Sequence, residues 1–456
     1  MRLRTVAPPE QARIASLLAR EEERFAREHP KSVALSGRAR QSLLAGVPMN
    51  WMVRWASRIP PFVVVAEGAR VTDIDGQTYI DFCLGDTGAM AGHAPAPTVQ
   101  AVSEQTRRGV TFMLPTEDAV WAGQEMTRRF GLPQWQFTLT ATDANRFAIR
   151  IARGVTGKPK ILVFNYCYHG TVDETLGVLD EDGRVTYRDG NLGAPVHPSV
   201  TTRVVEFNDL DALERELAAG DVACVLAEPA MTNIGIILPQ AGFHTALREL
   251  TRRYGALLII DETHTICAGP GGFTAAEGLQ PDMLTIGKTI AGGIPAAAFG
   301  LTRELAGRIL PDMESDDTDV SGVGGTLAAN ALSMAATRAT LEQVLTEAAF
   351  ERMIRLAERF TDGVNDVIER HGVPWSVTRL GCRAEYVFLP RPPTSGGEAA
   401  VAMDHTLERL MHLHALNRGI LLTPFHNMAL MSPVTGEADV DRHTEIFEEA
   451  VAELFD

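Results

Sequence analysis

The chain has 456 residues, of which 45% are hydrophobic and 22% are charged, an ordinary composition for a globular protein. This length exceeds what one small core needs and predicts more than one domain. A formal net charge of −16 argues against a nucleic-acid partner, because phosphate backbones are bound by basic surfaces. The sequence contains no apolar run long enough to span a bilayer, so we expect no membrane partner.

The five cysteines are scattered along the chain, with no CxxC pair and no dense framework. This is the pattern of a reducing compartment, and the arginines at the N-terminus are not followed by the hydrophobic segment of a signal peptide. We therefore expect a cytoplasmic protein, and we predict no metal ion at its functional site.

The N-terminal part of the chain predicts a helix followed by short strands. Residues 9–29 carry Ile14, Leu18 and Phe25 on one side of a charged amphipathic helix. Residues 61–82 form short runs of β-favouring side chains that are separated by two glycine-containing turns, which indicates a meander of short strands.

From about residue 120 to residue 305, strand-like and helix-like stretches alternate, which predicts a mostly parallel sheet flanked by helices. Buried strands are predicted at four apolar runs: 161–164, 222–227, 256–260 and 283–286. An acidic, glycine-rich segment at 311–325 then precedes a long alanine-rich helix at about 327–346. The last part of the chain, 350–456, contains further helices and a strand around 384–389.

Three of the predicted strands end at an ionisable residue. The strand at 222–227 runs into Glu228, the next runs into Asp261, and the last runs through a glycine into Lys288. In open α/β sheets, ligands bind outside the carboxyl ends of the strands. One such residue is usually structural, but an acid, an acid and a lysine in this order indicate a pyridoxal 5'-phosphate (PLP) site.

The chemistry of PLP explains why these residue types are needed. A lysine must attack the aldehyde to form a Schiff base, which makes Lys288 the predicted catalytic residue. The pyridine nitrogen must stay protonated beside a buried carboxylate, and Asp261 is the candidate. The phosphate needs amides and hydroxyls at a helix N-terminus, which Thr140 and Thr142 provide before a helix that we expect to end at Gly154. Without the lysine, this segment would predict only a capped core helix.

From about residue 40 onwards, the chain resembles the fold-type I, class III (ω-type) aminotransferases, and within them the branch near glutamate-1-semialdehyde aminomutase. The most specific stretch is PDMLTIGKTIAGGIPAAAFG (281–300), which is similar to the lysine segment of that family. Further similar stretches are IIDETHT (259–265), LAEP (226–229), YCYHGTVDET (166–175), GGTLAAN (324–330) and YIDFCLGDTGAMAGHAP (79–95).

The resemblance implies an α/β fold with a mostly parallel seven-stranded sheet flanked by helices, and a smaller α+β domain built from both termini. It implies an N-terminal segment at 1–95, a large PLP-binding domain at 96–335 and a C-terminal small domain at 336–456. It also implies a homodimer with shared active sites. The residues implied for cofactor binding are Thr140, Ala141, Thr142, Tyr168, His169, Glu228, Asp261, Thr263, Lys288 and Thr326. Among them, Tyr168 would stack on the ring and Thr326 would reach the phosphate of the neighbouring subunit.

A substrate carboxylate would need an arginine, because the guanidinium group binds it through two hydrogen bonds. Arg54 and Arg383 are the candidates, and a surface or structural role is an equal alternative for each. An apolar pocket for a bulky substituent is predicted from Trp51, Trp55, Met90, Phe425 and His426, for which core packing is the alternative.

The chain also departs from the family pattern. Residues 140–144 read Thr-Ala-Thr-Asp-Ala where the family usually has Ser-Gly-Thr-Glu-Ala, and Thr263 replaces a valine. His264 and Cys267 are unusual in their loop. The stretch 421–433 lacks a glutamate that the aminomutase branch carries. We therefore predict an aminotransferase acting between an amine or amino acid donor and a keto acid, aldehyde or ketone acceptor. The alternative is an isomerase like glutamate-1-semialdehyde 2,1-aminomutase.

Other classes of protein fit the sequence less well. A PLP-dependent decarboxylase or lyase is disfavoured because the lysine segment resembles that of aminotransferases. A nucleotide-binding dehydrogenase would need a G-x-G-x-x-G fingerprint after an early strand, which the sequence lacks. A catalytically silent binding protein would have lost Lys288 or Asp261, and both are present.

Overall fold

The computed structural model describes residues 9–315 and 321–455, which divide into two compact units. The larger unit comprises the described residues of Ala96–Phe350 together with Pro393–Val401. The smaller unit comprises the described residues before Ala96, Glu351–Pro392, and the described residues from 402 onwards. None of the described helices combines the length and the apolar character needed to cross a bilayer.

The helices are α1 (Gln11–Glu28), α2 (Pro30–Ala39), α3 (Ala96–Arg108), α4 (Glu117–Phe130), α5 (Ala141–Thr156), α6 (Leu210–Leu217), α7 (Phe243–Arg253), α8 (Gly272–Ala276), α9 (Arg303–Met313), α10 (Ala331–Gln343), α11 (Glu347–His371), α12 (Gly396–Val401), α13 (His405–Leu416) and α14 (Glu437–Phe455). The strands are β1 (Val63–Glu67), β2 (Arg70–Asp73), β3 (Thr78–Asp81), β4 (Gln134–Thr138), β5 (Lys160–Phe164), β6 (Gly177–Leu179), β7 (Val185–Tyr187), β8 (Thr202–Val205), β9 (Val222–Ala227), β10 (Leu257–Asp261), β11 (Met283–Ile286), β12 (Ala297–Leu301), β13 (Ser376–Leu380), β14 (Arg383–Val387), β15 (Ile420–Leu421) and β16 (Met428–Leu430).

Seven strands of the larger unit form one sheet in the order β4-β12-β11-β10-β9-β5-β8. Strands β11, β10, β9, β5 and β8 run parallel to one another, whereas β12 is antiparallel to both β11 and β4. All residues of β9 are buried, which explains its continuous apolar sequence, because helices cover both faces of a central parallel strand. The predicted seven-stranded, mostly parallel sheet is confirmed.

Aromatic side chains pack in the core beside β5. The rings of Phe207 and Phe243 lie 4.5 Å apart, and the ring of Phe164 lies 5.0 Å from that of Phe207. All three side chains are buried, and each contributes about 1.5–3 kcal/mol by leaving water. This packing fixes helix α7 against β5. The loops at the strand ends continue from these packed elements.

Both ends of the chain contribute to the smaller unit. The predicted meander is the antiparallel set β1-β2-β3, and β15 from the C-terminal part pairs parallel with β3. A second sheet has the order β13-β14-β16, and it includes the strand predicted around 384–389. The prediction of a smaller α+β domain built from both termini is therefore confirmed.

The end of helix α5 differs from the sequence prediction. Helix α5 continues through Gly154 and ends at Thr156, because Gly157 takes the left-handed conformation that closes the helix (φ 68°). Helix α10, which lies entirely in the larger unit, includes residues 335 and 336. The domain limits drawn from the sequence stay predictions.

Candidate active site

The three ionisable residues found in the sequence lie at one edge of the large sheet. Strands β9, β10 and β11 are adjacent and parallel, so their carboxyl ends meet at the same edge. Glu228 follows β9, Asp261 is the last residue of β10, and Lys288 follows β11 after one glycine. Asp261 is paired in register with Thr285, which precedes Lys288 by three positions.

Lys288 has an unusual backbone conformation. Its φ of 54° lies in the left-handed region, which costs a residue with a side chain about 1–3 kcal/mol. Such strain is concentrated at functional sites, where the surrounding structure imposes it. A side chain on the preceding Gly287 would lie only 3.0 Å from the Cβ atom of Ala141. The lysine therefore follows a close contact between the end of β11 and the start of α5.

The carboxylate of Asp261 is buried and accepts three hydrogen bonds. Asn145 Nδ2 donates at 2.8 Å, His169 Nδ1 contacts it at 2.9 Å, and the amide of Thr263 donates at 3.0 Å. Burial acts to raise the pKa of Asp261, but these hydrogen bonds and the charge of His169 lower its pKa to about 2. Asp261 is therefore ionised at neutral pH.

His169 is the charged partner of this carboxylate. Burial opposes the charged imidazole, but the neighbouring Cys167 and Asp261 raise the pKa of His169 well above its ordinary value. The imidazole of His169 is therefore positively charged where it contacts Asp261. A cationic imidazole and an anionic carboxylate at 2.9 Å form a buried pair of opposite charges.

Asn145 is a member of this network that the sequence analysis missed. In addition to Asp261, it donates to the carbonyl of His169 at 3.1 Å and accepts a hydrogen bond from Thr285 Oγ1 at 2.6 Å. It therefore connects α5, β10, β11 and the loop after β5. The available signal was a polar residue beside Ala144 on the apolar side of a helix, where a buried amide needs partners.

The N-terminus of α5 has the features of an anion site. Thr140 caps the helix by accepting a hydrogen bond from the amide of Asp143 at 3.2 Å. The amides of Ala141 and Thr142 lie in the first turn and have no acceptor within the helix. Helix amides of this kind bind phosphate groups.

The loop after β5 packs closely on this first turn. Thr142 Oγ1 accepts a hydrogen bond from the amide of Thr171 at 3.2 Å. Gly170, with a φ of 83°, lies so close that a Cβ atom there would overlap the hydroxyl of Thr142 and lie 2.9 Å from its Cα atom. Tyr168, the predicted stacking residue, is half-buried in the same loop. The structure therefore brings the segment of Tyr168 and His169 to the start of α5.

The two acids of the Asp-Glu pair at the end of β10 have different surroundings. Glu262 is buried and accepts hydrogen bonds from Thr265 Oγ1 at 2.6 Å and from the amides of Phe273 and Thr274 at 3.1 and 2.5 Å. Burial raises the pKa of Glu262, in contrast to the lowered pKa of its neighbour. Its contacts fix the loop, which supports a structural role.

Glu228 is buried in this chain, whereas Thr326 is exposed. Glu228 is buried and accepts a hydrogen bond from the hydroxyl of Thr232. Thr326 is exposed within this chain, and its role stays a prediction.

A family model described as aminotransferase class-III matches residues 52–451. The chain belongs to the class III aminotransferase family. It has fold type I, and its cofactor is PLP.

Three similar proteins span almost the whole chain of this class III member. A curated glutamate-1-semialdehyde 2,1-aminomutase from Anaeromyxobacter sp. is 31% identical and covers 86% of this chain and 91% of its own. A solved glutamate-1-semialdehyde-aminomutase from Pseudomonas aeruginosa, in complex with PMP, is 50% identical with a TM-score of 0.96, covering 98% and 100%. An omega-transaminase from Sphaerobacter thermophilus is 30% identical with a TM-score of 0.85, covering 93% and 97%.

The geometry of this class III site fits PLP. The buried, ionised carboxylate of Asp261 suits the protonated pyridine nitrogen, and the amides of Ala141 and Thr142 suit the phosphate. Lys288 supplies the amine at the end of the adjacent strand. These are the residues that would hold the cofactor.

The residues predicted for substrate binding all lie in the smaller unit of the class III chain, and their roles stay predictions. Arg54 is exposed and lies over the ring of Trp51 at 5.9 Å, whereas Arg383 is fully buried on β14. His426 contacts Glu385 Oε1 at 3.2 Å, a partner that the sequence analysis did not identify. The other three predicted residues are half-buried or buried: Trp55, Met90 and Phe425.

Proposed function

We propose that this protein is an isomerase that moves the amino group of glutamate-1-semialdehyde between neighbouring carbon atoms, as a 2,1-aminomutase does. The observation that carries the proposal is the similarity to the Pseudomonas aeruginosa aminomutase, at 50% identity over 98% of this chain. The curated relative from Anaeromyxobacter sp. supports the same activity. These comparisons favour the alternative of the sequence analysis over its first prediction.

The stretch 421–433 lacks the glutamate that the aminomutase branch carries, and this absence disfavours an aminomutase. In the smaller unit, however, Glu385 on β14 contacts His426, which belongs to that stretch. A carboxylate is therefore adjacent to the stretch although the stretch itself contains none. The nearby carboxylate weakens the case against an aminomutase that rests on the missing glutamate.

The residues of the larger unit have defined tasks in the proposed reaction. When bound, PLP supplies an electron sink for the electrons released as a proton leaves the substrate carbon that bears the amine. Lys288 Nζ takes this proton and returns it to a neighbouring atom. Asp261 holds a proton on the pyridine nitrogen, because its pKa of about 2 keeps the carboxylate charged at neutral pH. The first amides of α5 bind the phosphate and orient the ring.

A second candidate is transfer of the amino group to a separate keto acid, aldehyde or ketone. It is supported by the similarity to the Sphaerobacter thermophilus omega-transaminase at a TM-score of 0.85. The same cofactor-binding residues serve both reactions. The difference is that an isomerase needs one substrate, whereas an aminotransferase needs a donor and an acceptor.

The experiment that separates the two functions uses the holoenzyme and glutamate-1-semialdehyde alone. We expect the isomer with the amine and carbonyl exchanged to form without any added acceptor, as measured by chromatography. The Lys288→Ala variant should form none. If no isomer forms, but an amine donor and a keto acid together yield a new amino compound, the protein is an aminotransferase. If neither reaction occurs, both candidates are rejected.

We further propose that the protein is a cytoplasmic homodimer with shared active sites. All five cysteines are buried free thiols, as expected in a reducing compartment. The larger unit also has exposed apolar side chains, which a second copy of the chain would cover. These exposed side chains are Phe112, Met113, Leu114 and Leu327.

A further inference from the structure

His264 lies directly beside the amine of Lys288. Its Nε2 atom is 2.8 Å from Lys288 Nζ, a normal hydrogen-bond distance. The histidine is only 8% exposed and follows Thr263 in the loop after β10. The contact therefore joins the loop that follows Asp261 to the end of the adjacent strand.

We propose that His264 is a positioning residue that holds the amine of Lys288 through this hydrogen bond. A lysine side chain has four rotatable bonds and an amine that turns freely, so its lone pair has no preferred direction of its own. A hydrogen bond from Nζ to Nε2 fixes one N–H direction and restricts the lone pair to the two remaining tetrahedral positions. With Nε2 as the acceptor, the other ring nitrogen carries the imidazole proton.

The two acids at the end of β10, Asp261 and Glu262, accept hydrogen bonds from other groups. The carboxylate of Asp261 accepts hydrogen bonds from Asn145, His169 and the amide of Thr263. The carboxylate of Glu262 binds a hydroxyl and two amides of the following loop. A carboxylate in contact with Nζ would also stabilise the ammonium form, whereas a neutral imidazole does so less strongly. Nucleophilic attack needs the amine form.

The proposal rests on the PLP site of the proposed function, but not on the identity of the substrate. Its test is the capture of PLP by the apoenzyme, because that step requires the amine of Lys288 and no substrate. The rate is followed by the absorbance of the bound cofactor and by the fraction trapped with borohydride. Two variants are compared: His264→Met, which keeps the bulk but offers only a weak acceptor, and His264→Gln, which keeps an oxygen acceptor.

We expect His264→Met to slow capture about tenfold, since one hydrogen bond that orients the amine is lost. We expect His264→Gln to stay within about threefold of the wild-type rate, because its amide oxygen replaces Nε2 as acceptor. Binding of pyridoxamine phosphate (PMP), which has no aldehyde for the lysine, should be unchanged in both variants.

Capture at the wild-type rate by His264→Met would overturn the proposal. A parallel loss of PMP affinity would also overturn it, because the histidine would then only support the fold of the site. If the wild-type protein fails to capture PLP at Lys288, the proposed cofactor site and this inference fall together. Normal capture without conversion of glutamate-1-semialdehyde rejects only the proposed substrate.

Discussion

The buried side chain of Asn145 influences the pKa of Asp261. It donates to Asp261 Oδ2 at 2.8 Å and accepts from Thr285 Oγ1 at 2.6 Å, so it is held from two sides. It is fully buried, and water cannot replace its hydrogen bonds without entering the core. The low pKa of Asp261 therefore depends in part on this amide.

Substitution of Asn145 by alanine should impair the reaction without removing any group that carries it out. Loss of a hydrogen bond to a charged group costs about 1.5–3 kcal/mol, which corresponds to a decrease in kcat/KM of about 10- to 150-fold. The pKa of Asp261 should rise in the same variant. Steady-state kinetics with glutamate-1-semialdehyde measures the first effect.

Arg146→Ala is the matched control, because Arg146 is the next residue on the same helix and is exposed. It should keep near wild-type kinetics. Equal losses in the two variants would show that Asn145 has no special influence on Asp261. Circular dichroism spectra establish that both variants are folded.

Single residues of the site differ in how well the sequence predicts them. Lys288 and Asp261 were predicted because both follow apolar strands and their chemistry is specific. The contact of Lys288 with His264 was not predicted, since it joins residues 24 positions apart through the pairing of two strands. Asn145 was missed for the same reason, because its partners come from three separate elements.

At the scale of elements, two glycines near the end of helix α5 have opposite roles. Gly154 lies in the helix and has open space where a side chain would be, whereas Gly157 closes the helix at a φ of 68°. The sequence predicts a helix end at Gly154, since glycine is common just beyond a helix. Sequence alone does not distinguish these glycines, because only the backbone conformation shows which of them closes the helix.

Alanine at these two positions should change the free energy of unfolding in opposite directions. Gly154→Ala should raise the free energy of unfolding by up to about 1 kcal/mol, because alanine restricts the unfolded chain and favours the helix. Gly157→Ala should lower it by about 1 kcal/mol, since a side chain is strained in the left-handed region. Urea denaturation of each purified variant tests the pair, and a stabilising Gly157→Ala would contradict the role assigned to that residue.

The order of strands was predictable only in part. The apolar runs at β5, β9, β10 and β11 indicated parallel strands, and the structure has them adjacent in the sheet. The antiparallel strand β12 was not predicted from its sequence, which is short and rich in alanine and fits a helix or a strand equally well. Its position between β11 and β4 is set by pairing with strands distant in sequence.

At the scale of the whole molecule, the smaller unit depends on both ends of the chain. The pairing of β15 with β3 joins residues about 340 positions apart, a contact that local sequence patterns do not reveal. The resemblance to a family supplied this part of the prediction. The sharing of active sites between two chains also came from the resemblance, and it is open to a direct test.

Complementation between two inactive variants tests whether the sites are shared. Lys288→Ala removes the lysine, and Thr326→Tyr places a bulky group at the exposed position that we assign to the neighbouring site. Each variant alone should be inactive or nearly so. In a mixed two-fold dimer, one site combines Lys288 of one chain with Thr326 of the other, so equal co-expression should restore about a quarter of wild-type activity.

The control replaces the Thr326→Tyr chain by one that carries both substitutions, so that no site with an intact lysine and an intact threonine can form. Co-expression of this double variant with Lys288→Ala should restore nothing. If Thr326 acted within its own chain, the mixed dimer would contain one site without a lysine and one with a blocked threonine, and it would be inactive. Restored activity therefore requires that Thr326 serves the site of the other subunit.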